Sequence, residues 1–137
     1  MTPPSIRLLT VALLGSLGLA IWGGILMMSA GTTKGPVRVV VPDLSATAQA
    51  GRQAFELRCA KCHGPNAAGG PVGPPLVDRI YASGHHADIA FMLAVRRGVR
   101  AHHFMFGDMP PQPEVSDAEL ANIVRYVREL QKANGID

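Results

Sequence analysis

Cys59-Ala60-Lys61-Cys62-His63 places two thiols three residues apart, with a histidine directly after the second. One helical turn brings both thiols to the same edge. The adjoining imidazole can then turn toward the centre of a planar group held at that edge. A pentapeptide of this form is a haem-attachment sequence, giving two thioether bonds and one axial nitrogen. These are the only cysteines in the chain. Two other chemistries use a Cys-x-x-Cys pair. A structural zinc site needs four ligands, usually with a second pair at a defined spacing. Here those ligands would come from His85, His86, His102 or His103, which lack that spacing. A redox dithiol wants a βαβ setting, whereas these flanks read as helix and Gly/Pro loop. The haem reading in turn requires a sixth ligand, a pocket and an export route.

An export route is present. Leu8 to Ala30 is a 23-residue stretch without a charged side chain, flanked by Arg7 and Lys34. About 20 apolar residues span a bilayer core, so residues 1–30 read as a retained single transmembrane anchor. Ser29-Ala30-Gly31 would also serve as a cleavage site, leaving an uncleaved or a cleaved signal as the alternative. Gly15, Gly18, Gly23 and Gly24 form a small-residue stripe, which is common in membrane helices. Charge is nearly balanced across the span, so it does not set the orientation.

Residues 31–44 read as a linker, with Gly35, Pro36 and Pro42 around a Val37–Val41 run that forms a short strand or lies extended against the membrane-facing side of the domain. Fully stretched, such a linker reaches roughly 45 Å. Residues 45–137 are long enough for one small domain. From Ser45 onward there are 10 Lys/Arg and 9 Asp/Glu, a formal charge of +1. No basic stripe interleaves with aromatics, which excludes a nucleic-acid partner. So few large apolar side chains make a modest core, and a cofactor at its centre would fill the shortfall.

The first helix is expected from Ser45 to Arg58, with Ser45 as N-cap and Gly51 and Phe55 on one face. The loop after His63 is dense in breakers, from Gly64 through Pro75, and must curl round something. A middle helix is expected from His86 to Arg97, with Ile89 and Leu93 inward, joined by Phe91 or Met92, and Gly98 as its stop. The last helix starts at Ser116-Asp117-Ala118-Glu119, a capping box. Leu120, Ile123, Val124, Val127 and Leu130 recur there at helical spacing, and Gly135 ends it.

Met109 is the expected sixth ligand. A thioether is soft and neutral and raises the potential of the iron it binds. Pro110 and Pro111 stiffen the backbone beside it. Met105 is the competitor; between Phe104 and Phe106 it reads as pocket lining. A core role for both methionines is the remaining alternative.

Taken together, residues 45–137 resemble a class I c-type cytochrome of the membrane-anchored, mono-haem, bacterial kind. Gly51 and Phe55 stand where that family has a glycine and an aromatic ahead of Cys59–His63. Gly73-Pro74-Pro75-Leu76 matches its Gly-Pro-x-Leu loop, Met109-Pro110 its Met-Pro motif, and Tyr126 the inward aromatic of its closing helix. The resemblance implies an all-α fold of three to four helices around one covalently bound haem c, preceded by the transmembrane helix. It implies that the Pro74 carbonyl accepts the Nδ1 proton of His63, that His63 and Met109 ligate the iron, and that Tyr126 packs on Gly51 and Phe55. It implies haem ligation on the outer face, hence a single-pass protein of the bacterial inner membrane with its haem domain on the periplasmic side. The chain departs from many members in having no tryptophan near the haem, since Trp22 lies in the anchor.

The resulting expectation is a carrier of single electrons between respiratory or photosynthetic redox complexes, with the membrane and redox proteins as partners. No small-molecule substrate, catalytic residue or enzymatic activity is expected. The alternative is a fixed cytochrome c subunit of a larger oxidase, dehydrogenase or reaction-centre complex. A third reading, an enzyme or gas sensor with an open iron site, such as a peroxidase, requires a five-coordinate haem or a readily displaced methionine. Arg79, Tyr81 and Arg100 are candidate propionate partners. His85-His86 and His102-His103 are candidates for a second metal, for replacing methionine on the iron or for a pH-dependent potential, and His102 or His103 for a propionate; otherwise they read as partly exposed loop or cap residues.

Overall fold

Among the described residues, the first helix starts at a side-chain cap. The Ser45 hydroxyl accepts the Ala48 amide, and helix α1 runs Ala46–Arg58 behind it. A computed structural model describes residues 35–137. The expected anchor, residues 1–30, and the start of the linker lie outside the described residues. No helix among the described residues is long and apolar enough to cross a membrane.

After α1 comes a single turn, α2 (Ala60–His63), then two 3-10 turns at Pro65–Ala67 and Arg79–Tyr81. Helix α3 spans Asp88–Arg97 and α4 spans Asp117–Ala133. The described residues contain no strand, only an isolated antiparallel bridge between Val99 and Met109. The domain is thus mostly helical, as the sequence patterning requires.

The core is the seam between α1 and α4. From α1 it takes Ala48, Gly51 and Phe55. From α4 it takes the expected stripe of Leu120, Ile123, Val124, Val127 and Leu130, together with Tyr126 and Gln131. The Phe55 and Tyr126 rings lie 5.6 Å apart at 59°, a favourable tilted aromatic pair. The Tyr126 hydroxyl donates to Asn66 Oδ1 at 3.2 Å, which ties α4 to the loop after His63. Gly51 lets the two backbones meet: a Cβ there would stand 1.9 Å from the Asn122 carbonyl oxygen.

Of the two alternatives for Val37–Val41, no strand forms, and residues 37–44 lie against the domain. Val37 N–H donates to the Ala68 carbonyl at 2.7 Å. Asn134 clamps Val40 from both sides, accepting its N–H at 2.9 Å and donating to its carbonyl at 2.8 Å. Val39, Val41 and Leu44 pack on the core. The apolar valines are sufficient reason, since they bury surface without forming a ladder. In α3 one expectation is corrected: Ile89, placed inward from the sequence, is 59 % exposed, while Leu93 is 40 % exposed. Val95 is buried in the core, and Phe91 and Met92 pack part-buried against it. Phe91, Leu93 and Ala94 face the cavity described next.

Candidate cofactor site

Between α1, α3, α4 and the intervening loops lies a cavity of about 450 Å³. This is within the size range of small-molecule and cofactor pockets. Cys59, Cys62 and His63 lie along it, with Phe55, Leu76, Phe91, Leu93, Val99, Phe104 and Phe106 among its apolar walls. The expected haem-attachment turn and an apolar cavity are therefore contiguous.

Local structure explains how the turn is presented. The amides of Cys62 and His63 both donate to the Cys59 carbonyl. The breaker-rich loop folds back onto this turn so closely that a Cβ on Gly70 or Gly73 would stand 2.3 or 2.8 Å from the Cys62 carbonyl oxygen. His63 Nδ1 donates to the Pro74 carbonyl at 2.9 Å. That bond fixes the ring and leaves Nε2 with a free lone pair, the arrangement usual for a metal-bound imidazole. Burial holds His63 below the ordinary histidine range, outweighing the opposing effect of the Pro74 bond. The ring is thereby kept neutral, as a ligand must be.

The competing chemistries of the Cys pair do not suit this setting. Burial, reinforced by Cys62, pushes the Cys59 thiol up to about 11. An exchange-active dithiol instead has a lowered pKa. The metal-capable group found among the described residues is His85, His86 and His103, which includes neither cysteine. A covalent haem fits: free thiols at the rim, a neutral imidazole on the wall, and an apolar chamber.

The two methionines separate. Met109 is part-buried against the core and lines the cavity. Its backbone is tied on both sides to Val99, Val99 N–H to Met109 O and Met109 N–H to Val99 O, each 2.9 Å. Gln112 N–H donates to the Val95 carbonyl at 2.7 Å, anchoring the Pro110-Pro111 segment to α3. Met105 is 70 % exposed and is not part of the lining. The expectation that Met105 lines the pocket is thus corrected: Phe104 and Phe106 turn in, and Met105 between them turns out. Of the candidate propionate partners, Tyr81 lines the cavity while Arg79 and Arg100 do not; Arg58 and Arg97 do.

The sequence reading missed the device that holds the far wall. Arg128 of α4 donates to Asp88 Oδ1 at 2.7 Å, to the Tyr81 carbonyl at 2.8 Å, to Gln131 Oε1 at 2.7 Å and to the His86 carbonyl. Gln131, buried, donates to the carbonyls of Leu76 and Tyr81 at 2.8 and 3.1 Å. The signal was an arginine and a glutamine at i, i+3 beside the apolar stripe of α4. Arg128 also stands over the Phe91 ring at 4.8 Å.

The four loop histidines converge. His86, His102 and His103 line the cavity mouth, with His85 beside them. Partial desolvation and the neighbouring imidazoles of His102, His86 and His85 hold His103 below the usual histidine range.

The cytochrome c family model matches residues 48–131, well over half of the chain. Among curated proteins and among solved structures, nothing matches. A Cys-x-x-Cys-His turn on an apolar cavity, within a domain that the family model covers from α1 to α4, leads to one conclusion: the chain belongs to the cytochrome c family, and its cofactor is a covalently bound haem c that serves electron transfer.

Proposed function

We propose that the chain is a membrane-anchored, mono-haem cytochrome c that shuttles single electrons between redox complexes, with His63 and Met109 as axial ligands. When bound, the haem supplies one-electron exchange between Fe(II) and Fe(III). Cys59 and Cys62 hold the cofactor covalently. His63 offers Nε2 because Pro74 takes its Nδ1 proton. Met109 offers its thioether from a backbone locked to Val99 on both sides, and this rigid placement on the cavity wall is the observation that carries the reading. The apolar walls exclude water, which keeps a neutral sulfur competitive as a ligand. With two protein ligands there is no open position for a substrate, so no enzymatic activity is assigned.

Leu8–Ala30 serves as a retained single-pass anchor, with the N-terminus in the cytoplasm and the haem domain on the periplasmic side of a bacterial inner membrane. Its partners are the membrane and redox proteins met in weak, short-lived contacts. The near-infrared sulfur-to-iron band of the ferric protein tests the ligand set. It is expected in the wild type and in Met105→Ala and absent in Met109→Ala. Loss in Met105→Ala alone overturns the assignment.

The attachment of Val37–Leu44 to the domain favours a second reading, a fixed subunit of a larger complex, because it shortens the free tether. Purification in mild detergent distinguishes the two. A lone cytochrome supports the shuttle, and stoichiometric co-purification with other chains supports the subunit.

A further inference from the structure

His85 and His86 sit just ahead of α3, and His102 and His103 sit in the loop between Val99 and Met109. The fold brings the two pairs together. The rings of His85 and His103 are 5.6 Å apart, those of His86 and His103 5.2 Å, and those of His85 and His86 4.7 Å. One ring nitrogen from each of His85, His86 and His103 lies within 4.8 Å of the other two. Tetrahedral zinc with bonds near 2.1 Å sets its nitrogens about 3.4 Å apart. The remaining closure is within reach of side-chain rotation, since His85 and His103 are exposed.

The cluster is built rather than accidental in two respects. His86 Nδ1 donates to the Ile80 carbonyl at 2.7 Å, so its Nε2 keeps a free lone pair. This is the outer-shell bond that orients a ligating histidine. The backbone on both sides is also pinned. Arg128 holds the carbonyls of Tyr81 and His86. The other loop is closed at its base by the Val99–Met109 pair and by the bond from Ala101 N–H to Asp108 Oδ1 at 2.9 Å. Three imidazoles with no thiolate among them suit a borderline divalent ion such as Zn(II), Ni(II) or Cu(II) rather than Mg(II) or Ca(II).

We propose that His85, His86 and His103 bind one borderline divalent transition-metal ion at the mouth of the haem cavity, joining the segment before α3 to the 101–108 loop. The site is separate from the axial ligands, so the inference does not depend on Met109. Its consequence is mechanical, because the ion pins together two segments that wall the haem pocket. The experiment uses the full, haem-loaded protein titrated with Zn(II), by calorimetry against a competing chelator. One ion per chain is expected. His85→Gln and His103→Gln are each expected to weaken binding roughly tenfold or more, and His85→Gln, outside the cavity lining, is expected to leave the visible haem spectrum unchanged. Amide exchange in residues 101–108 is expected to slow on Zn(II) addition in the wild type and to stay constant in His103→Gln. Absence of binding below about 1 mM overturns the proposal, as does binding that neither variant weakens.

Discussion

At the residue scale the fold depends on positions where a missing Cβ permits backbone contact. Gly51 is the clearest, since α1 and α4 touch there and a Cβ would overlap the Asn122 carbonyl at 1.9 Å. Gly51→Ala must push the helices apart and is expected to lose about 3 kcal/mol of stability. Gly84→Ala meets nothing within 4 Å and should stay within about 0.5 kcal/mol. Denaturant unfolding of both haem-loaded variants checks the pair; equal losses would mean that the contact at Gly51 is not limiting. Gly98 has a φ of +74°, and a Cβ there would stand 2.5 Å from the Met109 carbonyl oxygen. Gly107 has a φ of +85° with open space around it. Alanine at either position is strained by about 1–2 kcal/mol, but only Gly98→Ala displaces Met109. The near-infrared band should therefore weaken in Gly98→Ala and persist in Gly107→Ala.

At the element scale, what was legible in the sequence was what is local. The capping box of α4 involves four consecutive residues, and it forms: Glu119 N–H donates to Ser116 Oγ at 3.2 Å while Ser116 N–H donates to Glu119 Oε2 at 2.9 Å. Hydrogen bonds from the Ser116 backbone N–H and hydroxyl hold the Glu119 carboxyl below the usual carboxylate range. A carboxylate whose folded pKa is depressed stabilises the fold above its ordinary value, about 4.5. That stabilisation is lost as pH falls through the folded pKa. Ser116→Ala should accordingly cost about 1 kcal/mol near neutrality. Glu119→Gln should flatten the decline of stability below pH 4.5, and urea unfolding at neutral and acidic pH reads both. Helix α3 was less legible. Its apolar residues serve two partners, Val95 and Phe91 both core and cavity and Leu93 the cavity, so period alone does not say which face is inward, and Ile89 belongs to neither. The Arg128 node was illegible for another reason: two of its four acceptors are the backbone carbonyls of Tyr81 and His86, more than 40 residues away, and no residue type marks a carbonyl that lacks a partner.

At the scale of the whole molecule, the protein's own core and the cofactor chamber share a wall: Phe55, Leu120, Ile123, Val124 and Val127 are buried in the seam of α1 and α4 and also line the cavity. Behind that wall Tyr126 and Leu130 are fully buried. Further large side chains, including Phe91, Leu93, Phe104 and Phe106, complete the lining of a cavity of about 450 Å³. Cavity costs near 24 cal/mol per Å³ put an unfilled, unrelaxed chamber on the order of 10 kcal/mol. That is comparable to the entire stability of a domain of this size. The haem is thus a structural member as well as a redox centre, and the covalent link at Cys59 and Cys62 prevents its loss. The chain produced without haem attachment is therefore expected to keep much of its far-UV helical signal. Its near-UV signal and its cooperative thermal transition are expected to disappear, as in a collapsed chain without fixed packing. The haem-loaded protein should melt in one sharp step. A sharp, reversible transition in the haem-free chain would show that α1 and α4 suffice, and that the chamber tolerates being empty.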